Sequence, residues 1–152
     1  MNQISEHKLL PRSQPILIVE DSPDDFEATK RAFNKANLRN EIRHCESGES
    51  ALNYLRGVTN ERPGLILLDL NMPGLDGRKT LEIIKNSDEL KRIPIVILTT
   101  SNDERDVQAC YALGANTYIQ KPVDFDGLIA AIRRLKEYWF EIALLPKEGE
   151  RD

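Results

Sequence analysis

The segment "LILLDLNMPGLDG", residues 65–77, runs from four apolar residues into an aspartate and then into a turn. Apolar residues that do not alternate with polar ones are typical of a strand buried on both faces, as in the interior of a parallel sheet. Asp69 ends this strand, and a buried carboxylate is costly unless other groups pair with it. The segment therefore predicts a central strand whose terminal carboxylate has partners at the ends of other strands.

Two more apolar runs, "ILIV" (16–19) and "IVIL" (95–98), have the same character. The weaker runs "EIRHC" (41–45) and "NTYIQ" (116–120) have the mixed polarity that is typical of strands at the edges of a sheet. Segments of helical periodicity separate all five runs. This alternation predicts a flavodoxin-like, doubly wound α/β fold with five parallel strands in the order 2-1-3-4-5 and five helices.

Several residues mark where the helices begin and end. Ser22, followed by proline and two acids, predicts the start of a helix that runs to about Leu38. Ser47 or Gly48 starts the second helix, and Gly57 ends it. The third and fourth helices lie within 76–86 and 102–116.

The composition limits the function classes. The chain has 152 residues, 40% of them hydrophobic and 30% charged, which predicts one domain at 16–145 with no output domain, a flexible tail at 1–15 and a disordered tail at 146–152. A net charge of −4 argues against a surface that binds nucleic acid. We expect a cytoplasmic protein that does not contact the membrane, because no apolar stretch approaches a membrane span or a signal peptide.

Polar residues follow four of the predicted strands at their carboxyl ends. Glu20 and Asp21 follow the first strand, Asp69 ends the third, Thr99 the fourth and Lys121 the fifth. These ends share one edge of a parallel sheet, so the three carboxylates should converge and repel one another. A hard divalent cation relieves that repulsion, and oxygen ligands in a site open to water suit Mg²⁺.

This arrangement resembles the receiver domain of two-component response regulators, over about residues 15–136. The resemblance rests on "ILIVEDSPDD", "LILLDLNMPGLDG", "IVILTTS" and "YIQKP", which occur in the order of the family. It is closest to the stand-alone regulators that serve cyanobacterial phytochrome kinases. It implies a phosphoacceptor signalling protein rather than an enzyme with an external substrate. Its partner would be a sensor histidine kinase, with a phytochrome as one candidate.

The resemblance assigns the metal site and the phosphorylated residue. Asp69 would be the nucleophile that accepts the phosphoryl group and becomes 4-aspartylphosphate. Asp69 would also be a ligand of Mg²⁺. Asp21 would bind the ion directly and Glu20 through water, and the backbone carbonyl of Asn71 would be a further ligand.

The resemblance also assigns the residues that sense phosphorylation. Thr99 and Lys121 would contact the phosphoryl oxygens, and Tyr118 would be an aromatic side chain that rotates when Thr99 moves. A cis peptide would precede Pro122. On pattern alone, Thr99 is also an ordinary strand residue and Tyr118 an aromatic packed on a helix.

The residues beside Thr99 depart from the family pattern. Thr100 is larger than the residue that relatives often carry there, and Ser101 has no carboxylate or amide to orient a water molecule. We therefore expect slow loss of the phosphoryl group.

The last helical segment is longer than a receiver needs. It can continue from about Asp124 to Leu145, about 22 residues or 33 Å. One side carries apolar residues at helical spacing, namely Leu128, Ile132, Leu135, Trp139 and Ile142, and further apolar surface comes from Tyr138, Phe140, Leu144 and Leu145. This surface predicts a homodimer through helix 4, strand 5, helix 5 and the tail, unless the tail folds back on its own domain.

Two other function classes fit the predicted fold. A haloacid-dehalogenase-type phosphatase also uses an aspartate nucleophile with Mg²⁺, but it carries a second acid two residues later, where this chain has Asn71. A flavodoxin-like flavin or nucleotide binder needs a phosphate-binding loop after the first strand, where "EDSPDD" places carboxylates. Turnover of a phosphoester would favour the first class, and a bound yellow cofactor the second.

Overall fold

The computed structural model describes residues 14–142, and side chains up to residue 139. In chain order the elements are β1 (Ile16–Val19), α1 (Pro23–Lys35), β2 (Ile42–Cys45), α2 (Gly48–Arg56), β3 (Leu65–Leu68), α3 (Gly77–Lys85), β4 (Ile95–Thr99), α4 (Glu104–Leu113), β5 (Thr117–Gln120) and α5 (Phe125–Lys136). A π-helical segment, Glu137–Ile142, continues from α5.

The strands form one parallel sheet in the order β2-β1-β3-β4-β5, which confirms the predicted topology. The three apolar runs became the central strands, and every residue of these strands is buried. The two strands of mixed polarity are the edges, where most residues are only partly buried.

Alternate residues of the central strands contribute side chains to two separate hydrophobic cores, one on each face of the sheet. Leu17, Ile66 and Ile97 face one core, which α2, α3 and α4 cover. Ile18, Leu67 and Val96 face the other, which α1 and α5 cover. Because both faces of the sheet are covered, the central strands present polar groups to solvent only at their ends.

Side-chain caps set the starts of the helices. The hydroxyl of Ser22 accepts the Asp25 backbone N–H at α1, and Ser47 forms a reciprocal capping box with Ser50 at α2. Asp76, Asp103 and Asp124 accept backbone N–H groups at α3, α4 and α5.

Helix α1 ends earlier than the sequence predicted, at Lys35 instead of about Leu38. Asn37 adopts the left-handed conformation, with a φ of 64°, and the backbone N–H of Leu38 donates to the carbonyl of Phe33. This is a Schellman stop, in which asparagine takes the place that glycine usually holds. Gly114, with a φ of 110°, ends α4 within the predicted range 102–116.

The predicted continuous α-helix to Leu145 is wrong in part. The α-helix ends at Lys136 and the chain continues as a π-helix to Ile142, while Leu144 and Leu145 lie outside the described residues. The ring of Trp139 is partly buried and packs against the core beneath α5. The segment that continues α5 therefore packs on its own domain at Trp139, because the indole finds apolar surface there.

Other expectations concern the backbone and the ends of the chain. The cis peptide expected before Pro122 is wrong: the described residues contain no cis peptide, and this bond is trans, the form that X–Pro bonds usually prefer. Gln14 and Pro15 are buried, and the rest of the tail predicted at 1–15 lies outside the described residues, as does 146–152. Within 14–142, no helix has the length and apolar character that a membrane span requires.

Candidate metal centre

Three carboxylates meet at the carboxyl edge of the sheet. Glu20 and Asp21 follow β1, and Asp69 follows β3, the neighbour of β1. One oxygen from each lies within 4.8 Å of the other two. The exposed fraction is 4% for Glu20 and 8% for Asp69, so water screens their mutual repulsion poorly. The predicted convergence of the three acids is therefore present.

The ammonium of Lys121 is the positive charge closest to this group. Its Nζ lies 2.8 Å from Glu20 Oε1 and 3.2 Å from Asp25 Oδ2. Burial alone would lower the pKa of Lys121, but the hydrogen bond to Glu20 and the nearby carboxylates outweigh it and raise the pKa. Lys121 is therefore held as a cation.

Even with Lys121 as its partner, the buried carboxylate of Glu20 has too little positive charge nearby to stay fully ionised. Burial raises the pKa of Glu20 to about 7, although Lys121 acts in the opposite direction. A further cation among the three acids would favour the ionised form of Glu20. The donor set consists of oxygens alone, which Mg²⁺ and related hard cations prefer. The residues present therefore fit a hard divalent cation.

Backbone contacts fix the position of Glu20. Its Oε2 accepts the Ser22 N–H at 3.2 Å, and its carbonyl oxygen lies 2.9 Å from Nε2 of His44. The imidazole stacks on the ring of Phe26 with centroids 3.7 Å apart. His44 thus ties the end of β2 to the end of β1, which is a structural role.

The residues after Asp69 curl back toward it. The backbone N–H of Asn71 points at Asp69 Oδ1, 3.4 Å away, and its side-chain amide points at the hydroxyl of Thr99, 3.5 Å away. Thr99 is fully buried at the end of β4. The structure thus places the residues predicted to contact a metal or a phosphoryl group, Asn71 and Thr99 among them, around one carboxylate, Asp69.

Tyr118 lies on β5 with its ring partly buried against the core beneath α4. Its hydroxyl donates to the backbone carbonyl of Ser101 at 3.0 Å. The hydroxyl of Ser101 donates in turn to Asp106 at 2.7 Å, and Asp106 pairs with Arg78 at 2.8 Å. Tyr118 is therefore connected to the loop that follows Thr99 and, through Asp106, to α3.

Two residues of the site were missed at the sequence level. Asp25 was interpreted only as a first-turn acid of α1, and its contact with Lys121 bridges 96 positions. Gly77 begins α3 against the backbone of Asp69, so that a Cβ there would meet the Asp69 carbonyl oxygen and lie 2.6 Å from Leu70 Cα. The signal for Gly77 was present, since glycine directly after a capping aspartate indicates close packing.

This arrangement bears on the two alternative classes. At the position where the phosphatase class carries a second acid, Asn71 presents an amide that points at Thr99. Carboxylates occupy the end of β1, where a flavodoxin-like protein would need backbone donors for phosphate. The residues at these two positions therefore match neither alternative class.

Comparisons with known proteins agree with this geometry. Residues 16–133 match the family model described as the response regulator receiver domain. The chain is 38% identical to response regulator Rcp1 of Synechocystis over 135 residues, 86% of this chain and 92% of Rcp1. It is equally similar to the probable methanogenesis regulatory protein FilR2 of Methanothrix harundinacea, at 38% over 127 residues and 82% of each chain.

Two solved structures are similar over nearly their whole length. The Mn²⁺-bound form of Rcp1 superimposes with a TM-score of 0.81, and the phosphorylated cyanobacterial phytochrome response regulator RcpA with 0.83. Each is 38% identical and aligns with 88% of this chain and 99% of its own. Motifs, topology, site geometry and similarity thus lead to one conclusion: the chain belongs to the response regulator receiver domain family.

Proposed function

We propose that Asp69 accepts a phosphoryl group from a phosphohistidine of a sensor histidine kinase. The observation that carries this proposal is the buried Asp69 carboxylate, within 4.8 Å of two further acids and on the same sheet edge as Lys121. A carboxylate in that setting would be a nucleophile whose developing product charge could be offset by Lys121 and by a cation held among the acids.

In the proposed step, an oxygen of Asp69 forms a bond to phosphorus while the bond from phosphorus to the histidine nitrogen breaks. The electron pair of that bond stays on the nitrogen, which takes up a proton from water. Catalysis of phosphoryl transfer consists mainly of positioning the reacting groups and of stabilising the negative charge on the transferred phosphoryl group.

Each surrounding residue has a role in that step. Glu20, Asp21 and the backbone carbonyl of Asn71 would hold Mg²⁺, which when bound offsets negative charge on the transferred group. Lys121 would hold a phosphoryl oxygen with its ammonium, and Thr99 would donate its hydroxyl to another.

Phosphorylation would then change the face formed by α4, β5 and α5. Movement of the Thr99 hydroxyl toward the phosphoryl group would leave room for the ring of Tyr118 to move further in, and its hydroxyl could keep the hydrogen bond to the Ser101 carbonyl that it makes here. The charge of the phosphoryl group would thus shift the balance between two conformations of the α4–β5–α5 face. Partners could recognise one of these conformations.

The phosphoryl group would be lost slowly. Hydrolysis requires a water molecule aligned with phosphorus, and the bond between phosphorus and Asp69 then breaks to give inorganic phosphate. The Ser101 hydroxyl is already engaged with Asp106, which is consistent with the lack of a group that orients water.

The similarity to Rcp1 and RcpA supports a phytochrome as the cognate kinase. The test is phosphotransfer from a purified, autophosphorylated phytochrome kinase, with a histidine kinase of another sensory class as the comparison. We expect faster transfer from the phytochrome, and none to Asp69→Asn from either kinase. Equal rates from both kinases would contradict the phytochrome assignment alone.

The protein would act as a homodimer through the α4–β5–α5 face. An apolar groove of about 650 Å³ lies there, lined mainly by Ile119, Ala130, Ala131, Leu135, Tyr138 and Trp139. The Tyr138 ring is 54% exposed and stands edge-on to Trp139 at 5.3 Å. A two-fold axis would place the same groove on both subunits, the usual closed arrangement.

Sedimentation with and without phosphorylation tests this interface. Ala130→Glu introduces a charge into the groove at an exposed helical position and should give a folded monomer. Val58→Glu is the control, since Val58 is 99% exposed and does not line the groove. A wild-type protein that stays monomeric at tens of micromolar in both states would contradict the dimer.

A further inference from the structure

Asp25 is a fourth carboxylate at this end of the sheet, and it does not belong to the group that could hold a metal. It lies in the first turn of α1, with its side chain 48% exposed and its Oδ2 3.2 Å from Nζ of Lys121. The Ser22 hydroxyl fixes its backbone N–H, so the backbone here does not depend on the carboxylate.

Among the described residues, the ion pairs of Lys121 go to Glu20 and Asp25 and not to Asp69. Lys121 is 10% exposed, so few water molecules compete for its three N–H donors. A phosphoryl group on Asp69 would therefore meet an ammonium that two carboxylates already hold, and Asp25 is the partner with the longer and more exposed contact.

We propose, building on the phosphoryl transfer proposed above, that Asp25 is a positioning residue that holds Lys121 on the α1 side of the resting site. The ion pair between Lys121 and Asp25 breaks when Lys121 binds the phosphoryl oxygens. Asp25 thereby favours the unphosphorylated state, and its removal makes the phosphorylated arrangement easier to reach.

The neighbouring residue provides a matched control. Asp24 lies in the same first turn of α1, is exposed, and does not pair with Lys121. Asp24→Asn and Asp25→Asn remove the same charge from the same helix terminus. A difference between them therefore reports the contact with Lys121 rather than net charge or the helix dipole.

Beryllofluoride, a stand-in for a phosphoryl group on a carboxylate, allows an equilibrium measurement. We would titrate it into the full chain at saturating Mg²⁺ and follow binding by NMR. Asp25→Asn should bind about two- to fivefold more tightly than wild type, the range expected from losing a partly exposed ion pair. Asp24→Asn should bind beryllofluoride with the affinity of the wild type. Asp25→Glu, which can still reach Lys121, should have an affinity closer to the wild type than Asp25→Asn has.

A double-mutant cycle separates an effect through Lys121 from a direct effect of charge. In a Lys121→Met background, or Lys121→Gln if the first variant does not fold, Asp25→Asn should no longer change beryllofluoride affinity. The same change in both backgrounds, or equal effects of Asp24→Asn and Asp25→Asn, would overturn the role given to Asp25. Absence of beryllofluoride binding by the wild type would instead overturn the proposed function, and this inference with it.

Discussion

The ammonium of Lys121 lies 2.8 Å from Oε1 of Glu20, and the two side chains are only 10% and 5% exposed. This buried pair joins β1 to the end of β5 across the central strands. Lys121 thus offsets part of the negative charge that would otherwise build up among the three carboxylates. A bound cation would have to share Glu20 with it.

Lys121→Met should therefore destabilise the metal-free protein, because it leaves Glu20 buried without a partner. The free energy of unfolding should fall by up to about 3 kcal/mol. Protonation of Glu20 makes this loss smaller, because it removes the unpaired charge. Mg²⁺ should recover most of it and should bind more tightly than to wild type, because no ammonium competes. Urea unfolding with and without Mg²⁺ measures both effects.

Lys91→Met is the control, since Lys91 is 53% exposed and its ion pair within residues 14–142 is with the exposed Asp88. Lys91→Met should change the free energy of unfolding by close to zero. Equal losses in the two lysine variants, or a loss at Lys121 that Mg²⁺ does not reduce, would contradict the competition between ammonium and metal.

Gly77→Ala should disturb the site through the backbone of Asp69. The added Cβ meets backbone atoms of Asp69 and Leu70, which cannot rotate away, so we expect a loss of about 1–3 kcal/mol in unfolding free energy. Metal affinity should fall as well, because Asp69 shifts. Isothermal titration with Mg²⁺ and urea unfolding report the two effects.

Gly57→Ala is the matched control. Its Cβ would meet only the side-chain amide of Asn60 and, at 3.5 Å, the carbonyl of Tyr54, and the amide can move aside. It should leave metal affinity unchanged. If Gly77→Ala also keeps wild-type metal affinity, the close packing of α3 does not position Asp69.

The central strands could be predicted from the sequence to within one residue, because four or five apolar residues in a row can be buried on both faces only inside a sheet. The strand order followed from the polarity of the edge strands. Glu20, Asp21, Asp69, Thr99 and Lys121 could then be placed together, because the ends of parallel strands share one edge.

Features that depend on tertiary contacts could not be predicted. The contact between Asp25 and Lys121 requires the position of α1 relative to β5, which no local pattern contains. The stacking of Phe26 on His44 has the same origin. The change from α- to π-helix at Glu137 has no sequence signal that we can identify, since no glycine or proline lies between Gly127 and Pro146.

Asp106→Asn should reduce stability in a pH-dependent way. The hydrogen bond from Arg78, with that from Ser101, lowers the pKa of Asp106 below its usual 3.8. Because the folded-state pKa is the lower one, the ionised carboxylate stabilises the protein above pH 3.8, and this contribution is lost as the pH falls further. The difference from wild type should be about 0.5–1 kcal/mol at neutral pH and should shrink in acid.

Urea unfolding across the acidic range measures this difference. Asp88→Asn serves as the comparison, because that carboxylate is 96% exposed and should contribute little at any pH. A loss in Asp106→Asn that stays constant down to the acid transition would show that the Arg78 pair is not its cause.

Ser101→Glu should shorten the lifetime of the phosphoryl group by adding a carboxylate that can orient water. Ser101→Ala should keep the long lifetime of the wild type, since neither side chain orients water. Phosphate release after removal of the phosphodonor gives the rates. If Ser101→Glu is as slow as wild type, access past Thr100 limits hydrolysis instead.

Intact-protein mass after incubation with acetyl phosphate tests the central claim most directly, because it requires no kinase. We would compare wild type, Asp69→Asn and Asp21→Asn, each with Mg²⁺ and with a chelator. The wild type should gain the mass of one phosphoryl group only with Mg²⁺, Asp69→Asn should gain none, and Asp21→Asn should need far more Mg²⁺. A phosphoryl group on Asp69→Asn at the wild-type level, or on the wild type without metal, would contradict the assignment of Asp69 as the metal-assisted phosphoacceptor.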